Sequence, residues 1–354
     1  MPNSPASPLP LLGVTAAELH HAARRWFGDA KGAGVAPLVH RMAVREARFD
    51  PAALGVGPRA CDVWRDQSHL SVPEVVDDKR EETGNGAVLK RALRLEDGRV
   101  IESVSLPMGR GRRSLCVSTQ VGCARACTFC ETGAMGLLRN LTAAEIVGQV
   151  VADATLSGSR ADAVVFQGMG EPLDNLDGLL PALRVLTDPG GLAFAQDKLT
   201  VCTVGHVPGI DAVAALGFKR LNLSLSLNQA DDVERARIMP RSTRYALVEI
   251  QAALRRFRRR KNAALGVHWC LLPGINDRPT DAKRIAEFVA PLGRTFVHLI
   301  PYNPGSSPIT RTPTEAEIAR FAELLRDHGV AVRRRITKGR TVMGGCGQLG
   351  AQQP

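Results

Sequence analysis

The sequence predicts an α/β protein whose main part is a partial (β/α)6 barrel, preceded by a small helical N-terminal module and extended by a β-hairpin. Three observations carry this. From residue 114 onward, short apolar runs alternate with longer amphipathic ones, the pattern of parallel strand–helix units. Six such units are present, too few for a closed eight-fold barrel. Upstream, two runs of alternating polarity are joined by Glu-Asp-Gly, which reads as a hairpin.

Residues 1–12 are rich in Pro and Ser and are expected to be disordered. The patterns Ala16–Phe27 and Val35–Arg45 suit short helices of the N-terminal module. Residues 65–85 are polar and end in Glu-Thr-Gly-Asn-Gly, a linker or turn. The chain is therefore expected to divide into an accessory module over 1–84 and a core domain over 85–350. Ala87–Leu95 and Arg99–Leu106 form the hairpin. The expected barrel strands are Ser114–Ser118, Ala163–Gln167, Leu199–Thr203, Arg220–Leu227, Leu265–Leu272 and Phe296–Ile300. The expected helices between and after them are Thr142–Leu156, Leu176–Leu186, Val207–Leu216, Tyr245–Arg260, Thr280–Ala290 and Thr314–His328. Thr142 with Glu145 three residues on makes a capping box for the first of these. In such an architecture ligands gather at the C-terminal ends of the strands.

Composition narrows the function. Lys and Arg number 46 against 35 Asp and Glu, a net charge of +11. That excess favours a polyanionic partner, most simply nucleic acid, against the plainer reading of solvated helix faces. No apolar stretch reaches the roughly 18 residues of a membrane span. The N-terminus lacks the layout of a signal peptide. A cytoplasmic location is expected, where thiols stay reduced. Eight cysteines in such a chain read as metal or redox groups before disulfides.

Three of them, Cys123, Cys127 and Cys130, follow the first barrel strand at C-x3-C-x2-C spacing. Three thiolates can hold one face of an iron–sulfur cube. A 4Fe–4S cluster usually takes four cysteines, so three leave one iron open to a substrate or cofactor. The plainer readings are a zinc site short of its fourth ligand, or buried free cysteines. No C-x2-C partner or H-x3-H pair lies nearby to complete zinc.

This motif, with Phe129 inside it, resembles the signature of the radical S-adenosylmethionine (SAM) superfamily. The resemblance extends further. Cys116–Val150, Gly168-Met-Gly-Glu-Pro-Leu-Asp-Asn175, Pro301-Tyr-Asn-Pro304 and Gly345-Cys-Gly-Gln-Leu349 are similar, in that order, to segments of the adenine methyl synthases of the RlmN/Cfr family. The resemblance implies a radical SAM barrel with a 4Fe–4S cluster on Cys123, Cys127 and Cys130. It implies SAM bound through its amino and carboxylate groups to the open iron. Gly170 and Glu171 become SAM contacts, and a carboxylate suits the SAM ammonium. On spacing alone Gly168 and Gly170 would be a turn. Asn303 matches a residue that contacts adenosine. Cys202 stands where the family has Ser, and Ser226-Leu227-Asn228 where it has Ser-Leu-His; both departures touch the SAM pocket and keep small polar groups.

The family's methyl-carrying cysteine matches Cys346, its second catalytic cysteine Cys116, and its proton-accepting glutamate Glu102. Without the resemblance, the two cysteines would be small buried hydrophobes and Glu102 an exposed strand residue. The implied chemistry answers a difficulty: an electron-poor adenine carbon cannot attack the SAM methyl directly. One SAM methylates the Cys346 thiolate. A second yields a radical that takes a hydrogen from that methyl group. The resulting carbon radical adds to adenine, the adduct loses a proton, and Cys116 releases the product by forming a disulfide with Cys346. Covalent catalysis splits a hard step into easier ones.

The implied partners are RNA, ribosomal RNA first and transfer RNA as a further substrate, and an electron donor such as flavodoxin or ferredoxin. A monomer is expected. Arg110-Gly-Arg112-Arg113, Arg255–Lys261 and Arg333–Arg335 are candidate phosphate contacts. Three readings stay open: an RNA adenine-C2 methyltransferase, another radical SAM enzyme such as a C8 methylase, and a non-enzymatic cluster- or zinc-bearing nucleic-acid binder.

Overall fold

Thr15 Oγ1 accepts a hydrogen bond from the Glu18 backbone N–H and the Glu18 carboxylate accepts one from the Thr15 N–H, a capping box that starts α1 (Ala16–Phe27). The computed structural model describes residues 7–28, 30–242, 244–257, 264–350 and 353. Helices α2 (Ala36–Glu46) and α3 (Pro58–Gln67) complete the N-terminal module with α1. Trp64 is its centre, with ring centroids 5.5 Å from Trp26 and 5.8 Å from Phe27. The expected disorder of residues 1–12 is corrected over its described part. Strand β1 (Leu9–Pro10) pairs in parallel with β2 (Ser68–His69), and Leu11 and Leu12 are fully buried. Two leucines with an apolar surface to cover outweigh the Pro-rich composition around them. Residues 1–6 lie outside the described residues.

The linker expected over 65–85 is corrected too. It holds the end of α3, β2 and a ten-residue strand, β3 (Glu74–Thr83), which pairs antiparallel with β4 (Gly86–Arg94). Only the turn at its end stands as read. No residue of β3 is buried and seven of its ten are exposed at the sheet edge, so its sequence needs no apolar alternation. Its partner strand satisfies its backbone, and Arg91 and Arg94 of β4 meet Asp78 and Glu74 at 3.3 and 3.0 Å. The sheet thus crosses the expected boundary between residues 84 and 85.

Strand β5 (Val100–Gly109) follows β4 antiparallel, and β6 (Arg112–Val117) follows β5. A small separate hairpin, β7 (Gln120–Gly122) with β8 (Leu137–Asn140), encloses the cysteine loop and the short α4 (Glu131–Met135). Parallel units then succeed one another: α5 (Ala143–Ser157), β9 (Ala163–Phe166), α6 (Leu176–Thr187), β10 (Leu199–Thr203), α7 (Val207–Ala215) and β11 (Asn222–Ser226). The chain continues through α8 (Asp232–Ile238), α9 (Leu247–Phe257), β12 (Leu265–Leu271), α10 (Pro279–Val289), β13 (Thr295–Pro301), α11 (Glu315–Asp327) and β14 (Val332–Arg334). The sheet has ten strands in the order β14-β13-β12-β11-β10-β9-β6-β5-β4-β3, parallel from β14 to β6 and open at both ends. The six expected barrel strands are all present. Strand β14 adds a seventh, too short and basic to be read from pattern. The part of the Arg255–Lys261 run beyond Phe257 lies outside the described residues.

Asp153 on α5, almost wholly buried, ties the antiparallel extension to the barrel. It pairs with Arg91 of β4 and, at 2.9 Å, with Arg113 of β6. Among the described residues no helix is long and apolar enough to cross a membrane.

Candidate active site

A cavity opens at the C-terminal ends of the parallel strands. Cys116, Gln167, Cys202, Ser226, His268 and Ile300, each at or near the end of a different strand, contribute to its wall. The cysteine loop and the C-terminal tail close it on other sides. Seven of the eight cysteines border it; the eighth, Cys61, is buried in α3.

The cysteine loop is held in place by backbone and charge. Gly122, at φ +77°, allows the Gly136 carbonyl a closeness that a Cβ would forbid, and the Cys123 N–H donates to that carbonyl at 2.8 Å. Arg125 grips Asp174 through two hydrogen bonds, one of 2.7 Å, and donates to the Arg241 carbonyl at 3.0 Å. The loop is thus locked to the segment that starts with Gly168. Burial pushes the Cys123 thiol up to about 12 and raises Cys127 and Cys130, with the neighbouring thiols adding to the rise at Cys127. Among the described residues no three His, Cys, Asp or Glu side chains are gathered around one point as a single ion requires. An iron–sulfur cube asks for something else, one thiolate at each of three separate irons. Three thiols bordering one cavity, whose crowding a cationic cluster would relieve, fit that requirement.

Gly168, Gly170 and Glu171 line the same cavity. A Cβ on Gly168 would sit 2.7 Å from the Val117 backbone, and one on Gly170 (φ +97°) 2.5 Å from Gln120 Cβ. These glycines are therefore required by close approach as well as by a turn. The Glu171 carboxylate accepts from Val204 N–H at 2.9 Å and Leu173 N–H at 3.1 Å. Burial nevertheless raises its pKa to about 7. Spare lone pairs on a desolvated carboxyl fit a cationic ligand group, which would draw the pKa down again.

The remaining SAM-side residues are partly assembled. Cys202, Ser226 and Asn228 line the cavity. Asn228 adopts φ +54° and its Oδ1 accepts from Cys270 N–H at 2.9 Å. Leu227 is fully buried behind the wall, its carbonyl accepting from Arg235 Nε at 3.1 Å. Asn303 stands under the tail instead of lining the cavity. Its Nδ2 donates to the Cys346 carbonyl at 3.5 Å, and its Oδ1 accepts from Arg340 at 3.4 Å.

Cys346 is carried by a tail fastened to the cysteine loop. Gly347 (φ +86°) accepts from Glu131 N–H at 2.8 Å, and Leu349 accepts from Thr132 Oγ1 at 2.5 Å. Gln348 bridges Gly345 N–H and the Pro304 carbonyl at 3.0 and 2.9 Å. Cys346 is exposed by surface area, yet its sulfur lies within the cavity, whose walls desolvate it and raise its pKa. Cys116 faces the same space. Burial pushes it up to about 12, the negative charge of a Cys346 thiolate adds to that, and Arg335 opposes it. Glu102 is not part of the lining. It is buried, with Oε1 2.8 Å from Lys90 Nζ and Oε2 accepting from Gly350 N–H at 2.9 Å.

Four residues that sequence reasoning missed complete the site: Gln167, His268, Arg125 and Arg235. Arg235 is buried and donates to the carbonyls of Leu227, Val204 and Ser242, joining the loops after β10 and β11. Gln167 had one available signal, its position at a strand end directly before Gly168.

Comparison with known proteins agrees with this geometry. The sequence pattern of the radical SAM superfamily matches residues 117–289. The chain is 42% identical over 278 residues to the dual-specificity RNA methyltransferase RlmN of Syntrophotalea carbinolica, covering 78% of this chain and 72% of that one. It is 41% identical over 261 residues to the protein of the same name from Geotalea uraniireducens, covering 73% and 74%. A radical SAM methyltransferase from Sphaerobacter thermophilus, known as a crystal structure, matches with a TM-score of 0.85 and 34% identity over 97% of this chain and 99% of that one. The match takes in the N-terminal module as well as the barrel. The chain therefore belongs to the RlmN-type family of radical SAM RNA methyltransferases.

Proposed function

We propose that this protein methylates C2 of an adenosine in RNA, ribosomal RNA first and transfer RNA as a further substrate, with Cys346 carrying the methyl group. The observation that carries this reading is the meeting of Cys346 and Cys116, from opposite ends of the core, in the cavity that Cys123, Cys127 and Cys130 border. The dual specificity in the relatives' names supports a second RNA substrate. The net charge of +11 supports a polyanionic one.

Cys123, Cys127 and Cys130 would hold a 4Fe–4S cluster, and Gly170, Glu171, Cys202, Ser226 and Asn228 would form the SAM side of the cavity. Leu227 and Asn303 shape it from behind. When bound, the cluster supplies the electron that breaks SAM and so provides the hydrogen-abstracting radical. The chain's own residues do the rest. Cys346 would lose its proton to solvent and take a methyl group from one SAM, which leaves as S-adenosylhomocysteine; burial raises the pKa of the thiol and the positive charge of Arg335 opposes that rise. Glu171 receives the SAM ammonium. Cys116 keeps its proton through the early steps, as its raised pKa suits, and supplies its sulfur when the product leaves. Glu102, which holds the tail through Gly350, is proposed as the acceptor of the substrate proton on the strength of the resemblance alone. The electron donor is of the flavodoxin or ferredoxin class, and the enzyme works as a cytoplasmic monomer.

Mass analysis of RNA nucleosides from a strain lacking the gene tests the reading. Loss of 2-methyladenosine is the expected result. Loss of 8-methyladenosine would move the chemistry to C8, and an unchanged nucleoside pool would overturn the RNA assignment.

A further inference from the structure

Gln167 follows β9 and its amide faces three side chains. Oε1 accepts from Cys202 Sγ at 3.4 Å, while Nε2 lies 3.4 Å from His268 Nδ1 and 3.9 Å from Cys346 Sγ. With the amide oxygen taken by a thiol, the amide N–H is left for His268 Nδ1, which is thereby the acceptor. That assigns the ring proton to Nε2. The ring is neutral: burial, with the positive charge of Arg335 beside it, holds its pKa well below the usual histidine value. His298 stacks edge-on, with ring centroids 5.3 Å apart, and offers Nε2 no hydrogen bond.

His268 is 1% exposed and lines the cavity, yet its Nε2 has no partner among the described residues. A buried donor without an acceptor carries its full desolvation cost, and such groups are rare in folded proteins unless something else completes them. Six other buried side-chain polar atoms also lack a partner among the described residues, on His20, His40, His69, Thr119, His206 and Ser242, but none of those residues lines this cavity. What is missing is an acceptor brought in from outside, beside the sulfur of Cys346.

We infer that the Nε2–H of His268 is the donor that reads a ring nitrogen of the adenine to be methylated, with Gln167 setting both the tautomer of His268 and the position of the Cys346 sulfur. Adenine presents N1, N3 and N7 as acceptors, whereas guanine presents a donor at N1. A fixed N–H facing N1 therefore accepts adenine and rejects guanine. SAM carries an adenine with the same acceptors. The RNA base is favoured because the methyl group must pass to it from Cys346, the sulfur that Gln167 also touches. The inference rests on the RNA reading above and deepens it.

The test uses the full chain reconstituted with iron and sulfide and an RNA hairpin with one loop adenosine. That adenosine is replaced in turn by its 1-deaza, 3-deaza and 7-deaza analogues, each lacking one acceptor. RNA binding is read by fluorescence anisotropy, SAM binding by equilibrium dialysis, and methyl transfer to the parent hairpin in parallel. The wild-type protein should bind one analogue about tenfold more weakly than adenosine, the worth of one hydrogen bond. His268→Phe should bind all four hairpins alike. His268→Gln, which returns an amide N–H near the Nε2 position, should restore part of the discrimination. The inference is overturned if the wild type binds all four alike, if His268→Phe discriminates as the wild type does, or if the variant loses affinity for SAM alone. Discrimination without any methyl transfer would sink the methylation reading and leave the base contact standing; methyl transfer without discrimination would do the reverse.

Discussion

Lys90 Nζ stands 2.8 Å from Glu102 Oε1, and both side chains are more than nine-tenths buried. They project from neighbouring antiparallel strands, two residues apart in register, β4 pairing Ala92 with Glu102. The other oxygen of Glu102 holds Gly350. Removing the cation would leave a buried, uncompensated carboxylate under the tail. Lys90→Met should therefore cost about 3 kcal/mol of stability. The double variant Lys90→Met/Glu102→Leu, which removes both charges, should recover much of that loss. Urea denaturation of the three proteins decides it: equal midpoints for Lys90→Met and wild type would show that the pair contributes nothing.

The cluster loop makes a sharper demand. Cys127 sits between the other two thiols of its motif, and each of the three would supply one iron. Cys127→Ala should bind less iron and sulfide on reconstitution, lose the visible absorbance of the cluster and cleave no SAM. The remaining pins of the loop, Arg125 on Asp174 and Thr128 N–H on the Ile238 carbonyl, do not involve the thiol, so the fold should persist by circular dichroism. Undiminished SAM cleavage by this variant would remove the motif from the reaction.

How far the sequence is readable depends on where the stabilising partner lies. Strand β10 and helix α1 have the bounds their patterns predict, because a half-buried strand and a capped amphipathic helix carry their signals locally. Strand β3 carries none. Most of its side chains face solvent and its pairing comes from β4, so nothing within Glu74–Thr83 marks it as a strand. Helix α3 buries only Cys61 and Trp64, too few positions to show a period. At the site, the cysteine spacing is legible because three ligands come from one loop. The environment of Glu102 is not, since Lys90 and Gly350 reach it from separate parts of the chain. The Gln167–His268 contact joins strand ends 101 residues apart and becomes visible only once the barrel is built.

Histidine burial predicts an acid-sensitive fold. Burial, reinforced by Arg335 and Arg333, lowers the pKa of His298 from 6.5 to about 4, and His40 and His268 are lowered for the same first reason. Between those values the unfolded chain binds more protons than the folded one. The stabilisation is complete above the unfolded pKa and is lost as pH falls through the folded pKa. The melting temperature of the cluster-free protein should therefore drop as pH is lowered from about 7 to about 5. His298→Asn should make that slope shallower. A slope unchanged by the substitution would mean that other groups govern acid unfolding.

The two-cysteine reaction gives the most discriminating experiment. Once a carbon radical derived from the Cys346 methyl group has added to adenine, protein and RNA are joined through sulfur, and that bond must be broken. Cys116 borders the same cavity and is close enough for a Cys346 thiolate to raise its pKa, which burial already pushes up to about 12. A thiol with so high a pKa stays protonated through the earlier steps and does not compete with Cys346 for the methyl group. Cys116→Ala should therefore still methylate Cys346 and still add to RNA, then stall. A covalent protein–RNA species that survives denaturation should accumulate, visible as a shifted band on a denaturing gel. Cys346→Ala should form neither that species nor methylated adenosine, though it retains Cys123, Cys127 and Cys130. Normal turnover by Cys116→Ala would reduce Cys116 to a structural thiol on β6. Methylation of RNA by Cys346→Ala would mean that the methyl group reaches adenine without passing through the tail.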